Sequence, residues 1–466
     1  MAGLLDPSGD FRDTLYNVDT EGNRKWIYPK KPSGKLYDAR TWVSYFLLLF
    51  LFGAPYLRYN NKPLFLIDVL HRNIIISGIH FGPQDIHLLL LSLLSLILFV
   101  ILFTVIFGRI WCGWACPQTI FLEMLFRKIE YWIDGDRNKK LADDKKPQSF
   151  QKVFKLISKH LIFWILSFII ANTFLSYIIG TDALWKIILG PFEEHYMGFI
   201  SMAIFTTVFY FVFSRLRELV CIVVCPYGRL QGVLLDKESI VVAYDFLRGE
   251  PRGKLHKEIK NTDIKTGDCI DCKQCVVVCP TGIDIRNGTQ LECVNCTACI
   301  DACDDIMDKI EKPRGLIRYA SYQQIANGIP FRLSPRVLAY SLVLIGLLSL
   351  TGFLFINRNP IETSILRVSG TMYQQDGKGN ISNIYTLDVV NKTEDTLHLV
   401  LSSPQGEIVL TGKDAIAPPA GQFKGSFLLL IPERTLQKMS TPIEINIASK
   451  GIVLEQVKTK FLGPSK

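Results

Sequence analysis

The chain has 466 residues, 49% of them apolar, and carries a formal net charge of +9. That length allows about two to four domains. The modest basic excess, with no interleaving of aromatic and basic residues, excludes a nucleic-acid footprint and fits the cytoplasmic loops of a membrane protein. All twelve cysteines fall into C-x2-C or C-x3-C groupings. This pattern argues for reduced thiolates facing a cytoplasm rather than for the disulfides of a secreted domain.

The first 40 residues are polar and lack an apolar h-region, so no cleavable signal peptide is expected. Five apolar stretches then follow: Tyr45–Leu57, Ile86–Phe107, Leu156–Ile179, Gly198–Phe213 and Val337–Ile356. A transmembrane helix needs ~20 predominantly apolar residues. The second, third and fifth stretches meet that length. The first meets it only if Thr41 to Tyr59 is counted, and the fourth only from His195 to Ser214. Lys and Arg crowd the amino-terminal tail (Arg24, Lys25, Lys30, Lys31, Lys35, Arg40). They also crowd the loop after the second stretch, from Arg109 to Lys152, and Arg215 and Arg217 open the segment after the fourth. The intervening outer segments are poor in them. The amino terminus and the insert between the fourth and fifth spans are therefore expected inside, and the carboxy terminus outside.

Two C-x3-C-P elements lie at the inner ends of the second and fourth spans: Cys112 and Cys116 before Pro117, and Cys221 and Cys225 before Pro226. On a helix this spacing places both sulfurs on one face, with the proline redirecting the chain just after. Together the pairs would make a four-thiolate site. It could hold a soft metal such as Cu(I), hold a further iron–sulfur cluster, or cycle between thiols and disulfides. The plainer alternative is a set of buried, inert cysteines. His80 and His87 near the outer start of the second span, and Glu193, Glu194 and His195 near that of the fourth, could bind a quinol or a metal. A solvated interfacial edge is the favoured reading for these five.

Between the fourth and fifth spans, Cys269, Cys272, Cys275 and Cys279 read C-x2-C-x2-C-x3-C-P. Cys293, Cys296, Cys299 and Cys303 repeat the spacing without the proline. In a two-cluster ferredoxin the remote fourth cysteine of each run ligates the other cube. That rule assigns Cys269, Cys272, Cys275 and Cys303 to one [4Fe–4S] cluster, and Cys293, Cys296, Cys299 and Cys279 to the second. C-x2-C pairs also bind zinc, but four cysteines at these steps, twice over, is very unusual for it.

Beyond Asn357 the pattern changes to short β-branched runs separated by turn residues: Ile365–Val368, Ile384–Val390, Leu397–Leu401, Ile408–Leu410, Phe423–Leu430, Ile443–Ile447 and Ile452–Val457. About seven strands in about 110 residues fit an immunoglobulin-like sandwich. It has no cysteine and no cluster of metal-ligand type, which favours a role in binding a partner over one in carrying copper.

The expected architecture is a membrane α-helical bundle of five transmembrane helices with a cytoplasmic two-cluster ferredoxin-like domain and a carboxy-terminal immunoglobulin-like β-sandwich. Its parts are a cytoplasmic tail (1–40), a four-helix membrane region (41–219) with a cytoplasmic loop (109–154), the ferredoxin-like domain (220–334), a fifth span (335–357) and a periplasmic sandwich (358–466).

Several motifs carry a family resemblance. They are Gly82-Pro-Gln-Asp, Gly108-Arg-Ile-Trp-Cys-Gly-Trp-Ala-Cys-Pro-Gln-Thr, Cys225-Pro-Tyr-Gly-Arg-Leu-Gln, Tyr244-Asp-Phe-Leu-Arg-Gly-Glu-Pro-Arg-Gly, and Gly267-Asp-Cys-Ile-Asp-Cys through Cys279-Pro-Thr-Gly-Ile-Asp-Ile-Arg. From about Trp26 to the carboxy terminus the chain resembles the cytochrome c oxidase accessory proteins of the CcoG/FixG/RdxA family. Departures are small: Leu219 stands where Gln is expected and Gly228 where Ala is common. The resemblance implies a multi-pass polyferredoxin of the bacterial inner membrane that assists assembly of a cbb3-type haem–copper oxidase. It also implies reduction of Cu(II) to Cu(I), with copper ions, a copper chaperone or oxidase assembly factors, membrane lipid and an unidentified electron donor as partners. Two other functions fit the residues: a quinol-linked electron conduit to another acceptor, and a non-catalytic assembly scaffold.

Overall fold

A proline, a glycine or a turn limits each long helix. The computed structural model describes residues 24–464 apart from 60, 61, 69–72, 77, 78, 83, 84, 255–266, 331, 333, 369, 371, 377, 378, 394, 413 and 437. Residues 1–23 of the expected tail and the side chain of His80 lie outside the described set. Helix α1 (Lys35–Gly53) stops before Pro55, whose ring cannot continue it. Helix α2 (Ile86–Phe107) stops at Gly108, which adopts φ +56°. Helix α3 (Phe150–Ile179) stops at Gly180, at φ +83°. A short helix α4 (Thr181–Leu189) precedes α5 (Phe192–Phe211), which runs on as a wider π turn through Leu216. Later come α6 (Pro226–Leu234), α7 (Ala298–Lys309) and α8 (Pro335–Ile356).

Among the described residues four helices are long and apolar enough to cross a membrane: Ile86–Phe107, Phe150–Ile179, Phe192–Leu216 and Pro335–Ile356. They match the second to fifth expected stretches, and the third and fourth are longer than the hydropathy pattern indicates. The first expected stretch is the second half of α1. The first half of that helix carries Lys35, Asp38 and Arg40. Leucines such as Leu90, Leu93, Leu94 and Leu96 on α2 face outward, as lipid-facing positions do when lipid replaces water as the solvent.

The chain divides into two compact units, residues 1–57 with 93–347 and residues 58–92 with 348–466. In the first, α1, the segment 120–126, α3 and α5 share an apolar core built on Phe121, Phe126, Phe163, Ile170 and Phe213. The Phe126 ring stacks on Phe213 at 4.6 Å and meets Phe163 edge-on at 4.8 Å. Toward the cysteine-rich part, β4 (Val241–Tyr244) and β5 (Ile317–Ala320) pair antiparallel. They bracket both ferredoxin motifs.

The second unit contains a small sheet, β1 (Phe65–Asp68), β2 (Asn73–Ile76) and β3 (Ile79–Phe81), which the sequence reading does not anticipate. Its main body is a sandwich. One sheet orders β9 (Glu407–Thr411), β10 (Gln422–Pro432), β7 (Asn380–Asn391) and β6 (Ile361–Arg367), with Gln374–Asp376 also pairing β7. The other orders β8 (Val400–Ser402), β11 (Ser440–Ser449) and β12 (Ile452–Leu462). Alternation decides what is inside: Tyr385, Leu387 and Val389 of β7 are buried, while Thr386 between them is exposed. Ile443, Ile445 and Ile447 of β11 close the same core from the opposite sheet.

A buried carboxylate ties the loop before α2 to this unit. Asp85 is 1% exposed and accepts from Arg358 at 2.7 Å and Lys392 at 2.8 Å. Burial alone would raise its pKa, but hydrogen bonds from Lys392 and Arg358 hold it below the ordinary carboxylate range. A depressed native pKa means the stabilisation is fully present above the unfolded value and is lost as pH falls through the native one. Asp85→Asn removes the carboxylate that Arg358 and Lys392 share, although Lys392 also reaches Glu362 at 2.9 Å, and should cost about 3–5 kcal/mol. Hydrogen exchange of the amides near 358–362 and 391–392 checks this. Exchange should speed up in the variant at neutral pH, and in the parent only in acid.

Candidate metal centres

The two ferredoxin motifs share one backbone conformation. In the first, Asp271 and Lys273 flank Cys272 at φ +49° and +56°; in the second, Asn295 and Thr297 flank Cys296 at φ +53° and +66°. Left-handed backbone costs roughly 1–2 kcal/mol for a non-glycine residue, so four such residues at matched positions mark a built loop. Alternating right- and left-handed residues turn successive N–H groups toward a common centre, the concavity that receives anionic clusters.

Two cavities result. Cys269, Cys272, Cys275 and Cys303 line one of them, with Tyr244, Arg286, Met307 and Ile317. Cys279, Cys293, Cys296 and Cys299 line the other, with Val242, Thr281, Asn295 and Thr297, and Cys275 stands in the wall between the two. Each takes in about 350 Å³ of space, counting the part open to solvent. The surroundings disfavour bare charge: burial pushes the Cys275, Cys293 and Cys303 thiols up to about 12 and Cys296 to about 11. Thiolates here therefore need a cation at hand, and iron supplies it. The residues fit [4Fe–4S] groups in number, type and enclosure.

The C-x3-C-P pairs do not form the continuous helical face expected of them. Cys112 lies in the short helix Ile110–Trp114, but Cys116 is extended at φ −64°, ψ 124°, and Pro117 begins a new helix. Cys221 lies in a π turn, Cys225 is extended at φ −70°, ψ 113°, and Pro226 begins α6. The amide of each second cysteine donates five residues back: Cys116 to the Trp111 carbonyl at 2.9 Å, and Cys225 to the Val220 carbonyl at 2.8 Å. The proline then opens the next helix, where its missing N–H costs nothing. The two elements are thus conformational twins, and their thiols are neighbours. Cys221, pushed up to about 12 mainly by burial, also interacts with Cys116, Cys112 and Cys225.

The first pair sits against the second ferredoxin loop. Cys112, Val278, Val294, Cys296 and Ala298 form one apolar cluster. Gly113 packs so closely that a Cβ there would lie 2.5 Å from the Val294 carbonyl oxygen. Trp114 Nε1 donates to the Tyr319 hydroxyl at 3.1 Å, and that hydroxyl donates to the Asn295 carbonyl at 3.3 Å. Arg109, buried, donates from Nε to Gln231 Oε1, from Nη1 to the Leu291 and Cys293 carbonyls, and from Nη2 to the Gly228 carbonyl. Gln231 contacts Cys112 Sγ at 3.6 Å, and Arg40 Nε donates to the Gly113 carbonyl at 2.6 Å. Sequence reasoning missed Arg109, Arg40, Gln231 and Tyr319. Arg109, Gln231 and Gly113 stand inside the motifs quoted above, but nothing in those motifs marks what Arg109 and Gln231 touch.

His87, Glu193 and Glu194 are exposed, and His195 packs its ring against Gly190. Among the described residues no group of three or more His, Cys, Asp or Glu side chains is placed to hold a single metal ion.

Comparison with known proteins adds to this geometry. Residues 216–322 match a family described as a 4Fe-4S dicluster domain. Residues 89–140 match a 4Fe-4S binding domain. Residues 351–464 match the IG-like fold at the C-terminal of FixG. Protein RdxB of Cereibacter sphaeroides is 35% identical over 79% of this chain and 80% of its own. The nitrogen fixation protein FixG of Rhizobium meliloti is 32% identical over 79% and 77%. A solved FixG-related protein from Vibrio parahaemolyticus is 21% identical, with a TM-score of 0.20, over 22% of this chain and 97% of its own.

Gly113→Ala should destabilise the protein by about 1–3 kcal/mol, because backbone faces the added methyl, and should lower bound iron and sulfide. Gly346→Ala, where a Cβ meets nothing within 4 Å, is the control and should leave both at wild-type values. Thermal unfolding in detergent and iron analysis read the difference.

Proposed function

The chain belongs to the FixG/RdxA family of iron–sulfur electron-transfer proteins, and from that premise we propose that it reduces Cu(II) to Cu(I) for assembly of a cbb3-type oxidase. The observation that carries this reading is the packing of the Cys112–Cys116 segment on the Cys293–Cys299 loop through Gly113. When bound, the two [4Fe–4S] groups supply one-electron transfer. Cys269, Cys272, Cys275 and Cys303 would hold one, and Cys279, Cys293, Cys296 and Cys299 the other. Cys112, Cys116, Cys221 and Cys225 would receive copper, although no three of them are placed in the structure to hold one ion: one electron converts Cu(II) to Cu(I), and soft thiolates favour the reduced ion. Arg109, Gln231 and Tyr319 hold the three cysteine-bearing segments in register.

In this reading the protein is a multi-pass protein of the bacterial inner membrane. Helix α1 is the first of five spans, in contact with lipid on its exposed face (Trp42, Phe46 and Leu49). The amino terminus and cysteine-rich insert are cytoplasmic, as the Lys and Arg distribution indicates. The sandwich is periplasmic and offers a surface to a copper chaperone or an oxidase assembly factor. An unidentified donor supplies electrons from the cytoplasm.

A second reading has one specific support. The match of residues 89–140 to a 4Fe-4S binding domain includes Cys112 and Cys116, which favours a third cluster on the four C-x3-C-P thiols. Iron and acid-labile sulfide analysis separates the readings: about eight irons per chain leaves these thiols for copper, and about twelve places a cluster there. Replacing Cys112, Cys116, Cys221 and Cys225 together with Ser should reduce Cu(II) reduction in membranes to background while about eight irons remain. Unchanged reduction would overturn the copper assignment.

A further inference from the structure

We propose that Arg109 and Arg40 are positioning residues that set the reduction potential at the cradle of Cys279, Cys293, Cys296 and Cys299, making a group bound there the more readily reduced of the two. The proposal rests on the iron–sulfur reading above and concerns how the two cradles differ.

The difference lies in how each buried cation is compensated. Arg109 is 4% exposed and Arg40 is 2% exposed. The hydrogen bonds of Arg109 go to the Gln231 side-chain amide and to the carbonyls of Leu291, Cys293 and Gly228. Arg40 donates to the Gly113 carbonyl, and its Nη2 has no hydrogen-bond partner. Among the described residues neither forms an ion pair with a carboxylate. Both reach the cradle's backbone: Arg109 donates to the Cys293 carbonyl at 3.3 Å, and Arg40 to the carbonyl of Gly113, which packs on Val294 and Asn295 beside Cys296. The carboxylate that also reaches Cys296 is Glu123, and it is held 2.7 Å from Arg127.

The other cradle is built the opposite way. Arg286 lines it and is bound by Asp284 at 2.6 Å and Asp271 at 2.5 Å. Arg248 is paired with Asp268 at 2.5 Å, and Lys312 with the same carboxylate at 3.0 Å. Asp304 acts on Cys303. The remaining cation in the lining, Lys273, is exposed and screened by water.

An iron–sulfur group that accepts an electron becomes more negative. A buried, uncompensated guanidinium stabilises that state more than the oxidised one, which raises the potential; net charge near the cluster is one of the protein's levers on it. A cation already bound by carboxylates has little such effect. Two free charges at one cradle and bound charges at the other therefore separate two otherwise similar ligand sets. The arrangement is asymmetric in the direction that favours reduction next to Cys112 and Gly113.

The test is a redox titration of the full-length protein in detergent, followed by EPR. The component lost in Cys296→Ser identifies the cradle of Cys279, Cys293, Cys296 and Cys299. In Arg40→Gln and Arg109→Gln that component should become harder to reduce. The ratio of reduced to oxidised cluster at a fixed potential should fall at least about tenfold, equivalent to about 59 mV for a one-electron couple, at wild-type iron content. The other component should not move. Arg109→Lys, which keeps the charge, should stay near wild type. Arg286→Gln should shift only the other component. If Arg109→Gln fails to take up iron, Arg40→Gln and Arg109→Lys carry the test. An unshifted component in Arg40→Gln at full iron content overturns the proposal. A wild-type protein with fewer than about eight irons overturns instead the iron–sulfur reading beneath it.

Discussion

The contact of Gly113 with Val294 and Asn295 is a backbone-on-backbone approach that no side chain allows. A Cβ at Gly113 would overlap both carbonyl oxygens, at 2.5 and 2.8 Å. Because the main chains meet, Cys112 and Cys296 enter one apolar cluster. A second close approach reinforces it: a Cβ on Gly228 would lie 2.5 Å from the Cys221 carbonyl oxygen and 2.9 Å from Arg109 Nη2. Arg109 thus fills the junction of three segments, each bearing cysteines. Its planar fork suits that role, since several carbonyls can be met at once from one rigid group.

The cradles depend on the same economy of backbone. Four non-glycine residues accept left-handed conformations around Cys272 and Cys296, and the second of these loops is pinned on both sides. On one side α7 packs against α1, where Asp301 accepts from the Leu36 and Tyr37 amides at 3.2 and 2.8 Å. On the other, Asn295 Oδ1 accepts from the Val242 amide of β4 at 3.3 Å. Without those anchors that loop would relax toward ordinary turns and its thiols would diverge.

Much of this was legible in the sequence, and the illegible part has a common cause. Cysteine spacing is a local signal, so the two ferredoxin motifs could be read directly, as could β-branched runs such as Ile384–Val390. The limits of α1 were not, because Asp38 and Arg40 interrupt its hydropathy. Strands β1 to β3 were missed because each has three or four residues, too few to establish a period. Arg109 and Arg40 look in sequence like ordinary basic residues at a membrane edge. Their burial depends on partners 73 to 184 positions away, and no local pattern records that. The helical face expected for each C-x3-C pair failed for a different reason: proline at the next position requires an extended residue before it, and Cys116 and Cys225 comply.

Exposure gives the chain of centres a direction that composition alone would not. Cys272 is the one exposed thiol among the twelve, while Cys269, Cys275 and Cys296 are buried and Cys279, Cys293, Cys299 and Cys303 are half-buried. A soluble carrier ferredoxin needs an open face for each exchange, whereas here one cradle has an exposed ligand, Cys272, and the other has Cys296 packed in one cluster with Cys112. The first cradle thus presents one ligand to its surroundings, and the second meets a C-x3-C-P segment. The unequal compensation of Arg286 and Arg109 follows the same polarity. Shape and charge thus distinguish two ends of a site whose eight cysteines, taken alone, are nearly symmetric.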